Sequence, residues 1–194
     1  MQTGIQLKRV ICDSLTRKTT MKNHLYQIRQ EQPSDYQEVY HLVEQAFATT
    51  NSDGTEADYL TELRKKETFI PELSLVAENS EGFIIGQIVL YQTYIVTEDG
   101  LVLSLVLSPL SVHPDYFRRG IARALMTHAF HIACNMGYNA VFLCGDPPFY
   151  QRFGFIASYH LGIFHISDRK AEWCMVKELI SDSLKQIHGT VDIV

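Results

Sequence analysis

Residues 107–125 read Leu107-Ser108-Pro109-Leu110-Ser111-Val112-His113-Pro114-Asp115-Tyr116-Phe117-Arg118-Arg119-Gly120-Ile121-Ala122-Arg123-Ala124-Leu125. An apolar run enters this stretch, a turn carrying Pro114 interrupts it, and two arginines and a glycine lead into a helical pattern. Ile121, Leu125, Ala129, Ile132, Ala133 and Met136 mark one face of that helix, and Gly137 follows where a left-handed stop is wanted. The stretch is therefore a strand–turn–helix unit. The N–H groups of a helix's first turn have no intrahelical acceptor, and with the helix dipole they make a socket for an anion. Gly120 lets backbone approach a ligand closely, Ala122 is small, and Arg118 and Arg119 add charge. A hydrogen bond from such an N–H to a charged oxygen contributes roughly 1.5–3 kcal/mol. The ligand this suggests is a phosphate or pyrophosphate. A plain strand–helix turn with two solvated arginines fits the same spacing. Neither a Walker loop nor a dinucleotide fingerprint is present.

Working outward, the run 101–107 is apolar except for Ser104 and predicts a central strand covered on both faces. Pro109 cannot donate a ladder hydrogen bond, so neighbouring strands should splay near residues 109–112. Upstream, alternation over 25–30 predicts a half-buried strand. Pro33 opens a helix whose stripe is Tyr36, Val39, Tyr40, Val43, Ala46 and Phe47, and residues 49–54 form a loop. A second helix over about 55–66 buries Ala57, Leu60 and Leu63, with Glu56 and Arg64 on flanking faces, and Pro71 closes the next connection. Strands are expected at 73–77 and 83–95, with a tight turn at Glu98-Asp99-Gly100. Downstream, strands are expected at 140–143, 155–158 and 173–179, with a very short helix or turn over 147–153. The order predicts a single α/β domain over residues 23–180, with a mixed, mostly antiparallel, twisted sheet flanked by helices. Residues 1–22 read as a disordered extension, and 181–194 as a partly packed tail.

The chain has 194 residues, with 17 Lys and Arg against 22 Asp and Glu, for a formal charge of −5. Hydrophobic residues make up 46% and charged ones 20%, which is globular rather than disordered composition. Nucleic-acid binding needs a concentrated basic face, and the basic spots here are short dipeptides, so no nucleic-acid partner is expected. No apolar run reaches the roughly 18 residues of a membrane span. Cys12, Cys134, Cys144 and Cys174 form no CxxC pair and match no zinc spacing, so they read as reduced thiols of a cytoplasmic protein, with no metal. Cys144 ends a buried strand and reads as inert. His128 and His131 share a helix face without a third ligand and read as structural.

The stretch Phe117-Arg118-Arg119-Gly120-Ile121-Ala122 resembles the pyrophosphate motif of the GCN5-related N-acetyltransferases, Gln/Arg-x-x-Gly-x-Gly/Ala. The preceding Pro109-Leu110-Ser111-Val112-His113-Pro114 is similar to that family's approach to the motif. Gly145-Asp146-Pro147-Pro148-Phe149-Tyr150-Gln151-Arg152-Phe153-Gly154-Phe155 resembles the GDPxYYxRFGF stretch of its small bacterial YhbS-like subgroup, and Met175-Val176-Lys177-Glu178-Leu179 its closing strand. The resemblance covers roughly residues 25–180. One departure is Phe117, where the family has Gln or Arg; a phenyl ring donates no hydrogen bond to phosphate.

The resemblance implies acetyl-CoA as donor and a small-molecule or peptide amine as acceptor, joined in one ternary complex. It implies cofactor contacts from Leu110, Ser111, Val112, Arg118, Arg119, Gly120, Ile121, Ala122 and Arg123. Backbone near 110–112 would polarise the thioester carbonyl. Tyr150 matches the family's tyrosine acid, a phenol protonated at neutral pH. No carboxylate lies on the central strand, so Glu56, on a helix that lines the acceptor side in this family, is the candidate base or amine-recognition group. His113 is a weaker candidate, better read as a surface or capping residue. Asp146 is expected to cap the short helix before Tyr150. Arg152 reads as a phosphate ligand or as one half of a salt bridge at the turn. Tyr91, Tyr94 and Tyr116 are packing residues or pocket walls. A non-catalytic acyl-CoA-binding or regulatory protein is the alternative, with Phe117 marking loss of activity, and a homodimer is the open alternative to a monomer.

Overall fold

The computed structural model describes residues 26–48 and 54–193. The expected extension 1–22 and most of the loop at 49–54 lie outside the described residues. The strands are β1 (Tyr26–Gln30), β2 (Phe69–Asn79), β3 (Ile84–Thr97), β4 (Gly100–Val112), β5 (Ala140–Cys144), β6 (Ile156–Ala157), β7 (Ile163–His165), β8 (Cys174–Glu178) and β9 (Gly189–Val191). The helices are α1 (Tyr36–Phe47), α2 (Glu56–Leu63), α3 (Ile121–Asn135) and α4 (Pro147–Tyr150), with short 3-10 turns between. The architecture is α/β with a mixed, mostly antiparallel sheet, as expected. The described chain divides into two compact units, residues 26–90 with 109–132 and residues 91–108 with 133–193. The chain passes between them within β3, β4 and α3.

In the first unit, β1 pairs antiparallel with β2, from Tyr26 opposite Asn79 to Gln30 opposite Leu75. The β2–β3 turn closes through the Asn79 N–H, which donates to the Phe83 carbonyl at 2.9 Å. The next strands in the hydrogen-bonded order are β3 and then β4. Helix α1 buries Val39, Leu42, Val43 and Ala46. Tyr36 and Tyr40 were placed on that stripe by spacing but lie off it. The Arg64 guanidinium stacks on the Tyr36 ring at 4.1 Å, and the Tyr40 hydroxyl donates to Asp58 at 2.9 Å. An amphipathic tyrosine keeps its polar end wet while its ring covers a neighbour. Helix α2 buries Ala57, Leu60 and Leu63, the predicted stripe. Pro71 does not close a connection but lies inside β2, at an exposed position near its start, where a missing N–H is tolerated.

A buried ion pair ties β1 to the end of α2. Arg64 donates to Glu31 at 2.5 Å, and their side chains are 6% and 1% exposed. The Ser74 hydroxyl donates to the same carboxylate at 2.6 Å. Nearby, Arg29 bonds Asp35 and Glu78, each at 2.6 Å. The Arg29 guanidinium holds the Asp35 carboxyl below its ordinary range.

In the second unit, β4 and β5 run parallel, with Leu105 opposite Val141 and Val106 opposite Phe142. Strand β8 pairs antiparallel with β5 and with β6. Among the described residues, the β4–β5 ladder ends at Phe142, whereas the β5–β8 ladder continues to Cys144 opposite Cys174. Beyond Phe142, then, β5 keeps one neighbour and not the other. The tail contributes β9, which pairs with β3 through Ile95–Val191 and runs parallel to β7. Val191 is fully buried.

Two sequence expectations are corrected here, and two strands are added. The run 101–107 is not covered on both faces throughout, because Leu101 is 65% exposed and burial begins at Ser104. The strand over 155–158 shortens to Ile156–Ala157, because Ser158–Leu161 turns into a 3-10 helix. Strands β7 and β9 have three residues each, too short for alternation to reveal. Among the described residues, no helix is long and apolar enough to cross a membrane.

Replacing Arg64 with Met leaves the Glu31 charge buried without its partner. The expected loss is about 3–5 kcal/mol in urea unfolding. The double variant Glu31→Leu/Arg64→Met should lose less than Arg64→Met alone.

Candidate functional site

The site begins where β4 stops. The His113 N–H donates to the Ile85 carbonyl at 3.0 Å, and the chain then turns through a 3-10 helix, Pro114–Tyr116. The His113 ring nitrogen Nδ1 accepts from the Asp115 N–H at 3.3 Å, so His113 caps this turn, in line with the capping expectation. Phe117 is extended, with φ −58 and ψ 149, and 45% exposed. Arg118 takes φ 61 and Gly120 φ 83. Two left-handed residues in three reverse the chain sharply, and a non-glycine residue held there costs about 1–2 kcal/mol. Turns that alternate backbone hand aim successive N–H groups into one concavity, which suits an anion.

Helix α3 starts directly after this turn. Its first hydrogen bond runs from the Ala124 N–H to the Gly120 carbonyl at 3.0 Å. The N–H groups of Ile121 and Ala122 precede that bond, so no helical carbonyl is within their reach. Arg118, Arg119, Gly120 and Arg123 are exposed. The Arg119 guanidinium rests 5.0 Å above the Tyr116 ring, whose hydroxyl accepts from Asn79 at 3.2 Å. Tyr116 is thus a platform for one of the arginines.

Gly86 sets how closely α3 approaches β3. A Cβ there would lie 2.8 Å from Ile121 Cγ2, 3.1 Å from Leu125 Cδ1 and 3.4 Å from the Ser111 carbonyl. Only a glycine lets the first turn of α3 pack this tightly on the strand. Ile121 and Leu125 are buried there. Leu110 and Val112 are half-buried at the end of β4, and Ser111 between them is buried. Glu56 is half-buried in the first turn of α2.

Tyr150 belongs to the second unit. It ends α4, with its ring edge-on to Phe149 at 4.9 Å and to Phe155 at 5.7 Å. A Cβ at Gly145 would overlap the Tyr150 ring, so the glycine of the Gly-Asp-Pro stretch seats the tyrosine. Burial, followed by the Asp146 charge, pushes the phenol up to about 12. The Asp146 side chain makes no capping bond; its carbonyl accepts from the Phe149 and Tyr150 N–H groups instead, at 3.0 and 3.1 Å. Arg152 stacks 5.0 Å above the Phe149 ring and donates to its carbonyl at 3.3 Å, with no ion pair among the described residues. Gly154 closes the turn at φ 84. Burial pushes the Cys144 thiol up to about 12, in keeping with an inert role.

The structure brings together the residues at 110–112 and 118–123 within one unit, and seats Tyr150 and its aromatic neighbours in the other. Sequence reasoning missed Gly86 and the buried Gln87 beside it. A glycine inside an apolar strand pattern is the signal for a close backbone approach and was available.

The acetyltransferase (GNAT) domain family model matches residues 27–157. The uncharacterized N-acetyltransferase YhbS of Escherichia coli K12 is 31% identical over 172 residues, covering 85% of this chain and 94% of that protein. The uncharacterized N-acetyltransferase YjhQ of the same strain is 30% identical over 122 residues, covering 63% of this chain and 65% of that protein. Among solved structures, Escherichia coli YhbS in complex with CoA superposes with a TM-score of 0.75 at 27% identity, covering 88% of this chain and 90% of that one. A GNAT-family acetyltransferase from Brucella melitensis in complex with acetyl-CoA gives a TM-score of 0.70 at 26% identity, covering 89% and 97%.

The glycine contact yields a direct expectation. Gly86→Ala forces Ile121 and Leu125 to shift and should destabilise the protein by about 1–3 kcal/mol, read from urea unfolding.

Proposed function

Because the chain belongs to the GNAT acetyltransferase family, we propose that it transfers the acetyl group of acetyl-CoA to a primary amine, by direct attack within a ternary complex. The observation that carries this reading is the turn and helix start at 117–123. Two left-handed residues, three exposed arginines and the opening N–H groups of α3 converge on one short stretch. Such a stretch suits a diphosphate, and two solved relatives of the same fold hold CoA and acetyl-CoA.

In this reading, the N–H groups of Ile121 and Ala122 bind the diphosphate, and Arg118, Arg119 and Arg123 neutralise its charge. Backbone groups of Leu110, Ser111 and Val112 hold the pantetheine arm and polarise the thioester carbonyl. The attacking amine must be neutral. Glu56 is the candidate to take its proton or to orient it. When the thioester breaks, the departing thiolate needs a proton, and Tyr150 supplies it. A phenol raised to about 12 is fully protonated at neutral pH and remains a competent donor. The acceptor is a small-molecule or peptide amine.

Phe117 supports a second reading, that of an acyl-CoA-binding protein without transferase activity. It is exposed at the motif position that lacks a donor. Thiol release from acetyl-CoA over a panel of amines separates the two readings, because only the enzyme releases thiol in step with amine.

Gly120→Glu places a carboxylate and a strained backbone at the socket. Calorimetry with acetyl-CoA should show near-complete loss of binding, and intact binding would remove the socket from the account. Tyr150→Phe should lower kcat by about 10²–10⁴-fold, with acetyl-CoA affinity nearly unchanged. The tyrosine's own ionisation should limit the wild-type rate only as pH approaches about 12, because loss of its proton removes the acid.

A further inference from the structure

The buried polar side chains of the first unit hold an unexplained pair. Gln87 on β3 is 0% exposed, and neither its Oε1 nor its Nε2 has a hydrogen-bond partner. Ser111 on β4 is 2% exposed, and its Oγ is likewise without one. A buried polar group left unpaired costs about 1–3 kcal/mol, and roughly nine in ten such groups find a partner. Two unpaired side chains near one another indicate a site for a hydrogen-bonding ligand.

The bond from the His113 N–H to the Ile85 carbonyl sets the antiparallel register. Two residues further along, Ser111 falls opposite Gln87, and opposed residues project from the same face about 4.5–5.5 Å apart at Cβ. The next-door position, Gly86, faces Ile121 and Leu125 of α3. Gln87 and Ser111 therefore project from the sheet face turned away from α3. Ser111 also lies between Leu110 and Val112, the backbone proposed to hold the thioester.

We infer that Gln87 and Ser111 are the acceptor-recognition pair, binding the N–H bonds of the incoming amine through the Gln87 carbonyl and the Ser111 hydroxyl. The inference rests on the acetyltransferase reading above. The pair is uncharged, and that decides which form of the amine it holds. The ammonium has no lone pair to attack with, so its proton must leave, to Glu56 in the reading above, before the pair holds the reacting form. An amide and a hydroxyl then accept its N–H bonds.

The test uses Gln87→Met and Ser111→Ala in the full chain, with hydroxylamine as the amine probe. Removing an unpaired buried polar group relieves its burial cost, so each unliganded variant should melt about 2–4 °C higher than wild type. Each should also lose about tenfold or more in kcat/KM for hydroxylamine, while the acetyl-CoA Kd of Gln87→Met stays within about twofold of wild type. A lower melting temperature means the groups already have partners and overturns the inference, as does unchanged kcat/KM. Wild-type protein that binds acetyl-CoA but does not acetylate hydroxylamine overturns it too. Wild-type protein that fails to bind acetyl-CoA overturns the acetyltransferase reading itself, which distinguishes the two failures.

Discussion

The close packing of α3 on β3 at Gly86 is the constraint on which the rest of the first unit depends. With no side chain on Gly86, Ile121 and Leu125 press directly on the strand. That contact fixes where the helix begins and where its opening N–H groups point. The turn before it is held in a strained form, with Arg118 at φ 61. A turn of that kind persists only when its surroundings determine it fully. Here they do so through the His113 bond to β3, the His113 cap and the Tyr116 platform under Arg119. The shape of the proposed anion socket is thus a product of packing as much as of arginine content.

The second unit shows the same logic at Tyr150. Gly145 leaves space for its ring, and Phe149 and Phe155 flank it edge-on. Burial then raises the phenol, which keeps it protonated at neutral pH, as its proposed role as an acid requires. A tyrosine positioned by a glycine and two phenylalanines has little rotational freedom.

Much of this was legible in the residues. The helix beginning after Gly120 and the stripe of α2 follow from local spacing, whereas the expected Asp146 cap on the short helix ending at Tyr150 does not form. What was not legible depends on contacts between distant segments. Tyr36 and Tyr40 match the helical period of α1 but serve Arg64 and Asp58. The Glu31–Arg64 pair joins residues 33 apart in sequence. Strands β7 and β9 are too short to carry a pattern. Gln87 reads as an ordinary polar residue in a strand until its burial is known. In each case tertiary placement overrode local preference.

The most direct test is a 1H–15N NMR titration of the protein with CoA. The account predicts the largest amide shifts at residues 119–122 and at 110–112, with the Ile121 and Ala122 N–H signals moving downfield as they bond to phosphate oxygen. Saturable CoA binding that left those amides unmoved would contradict it.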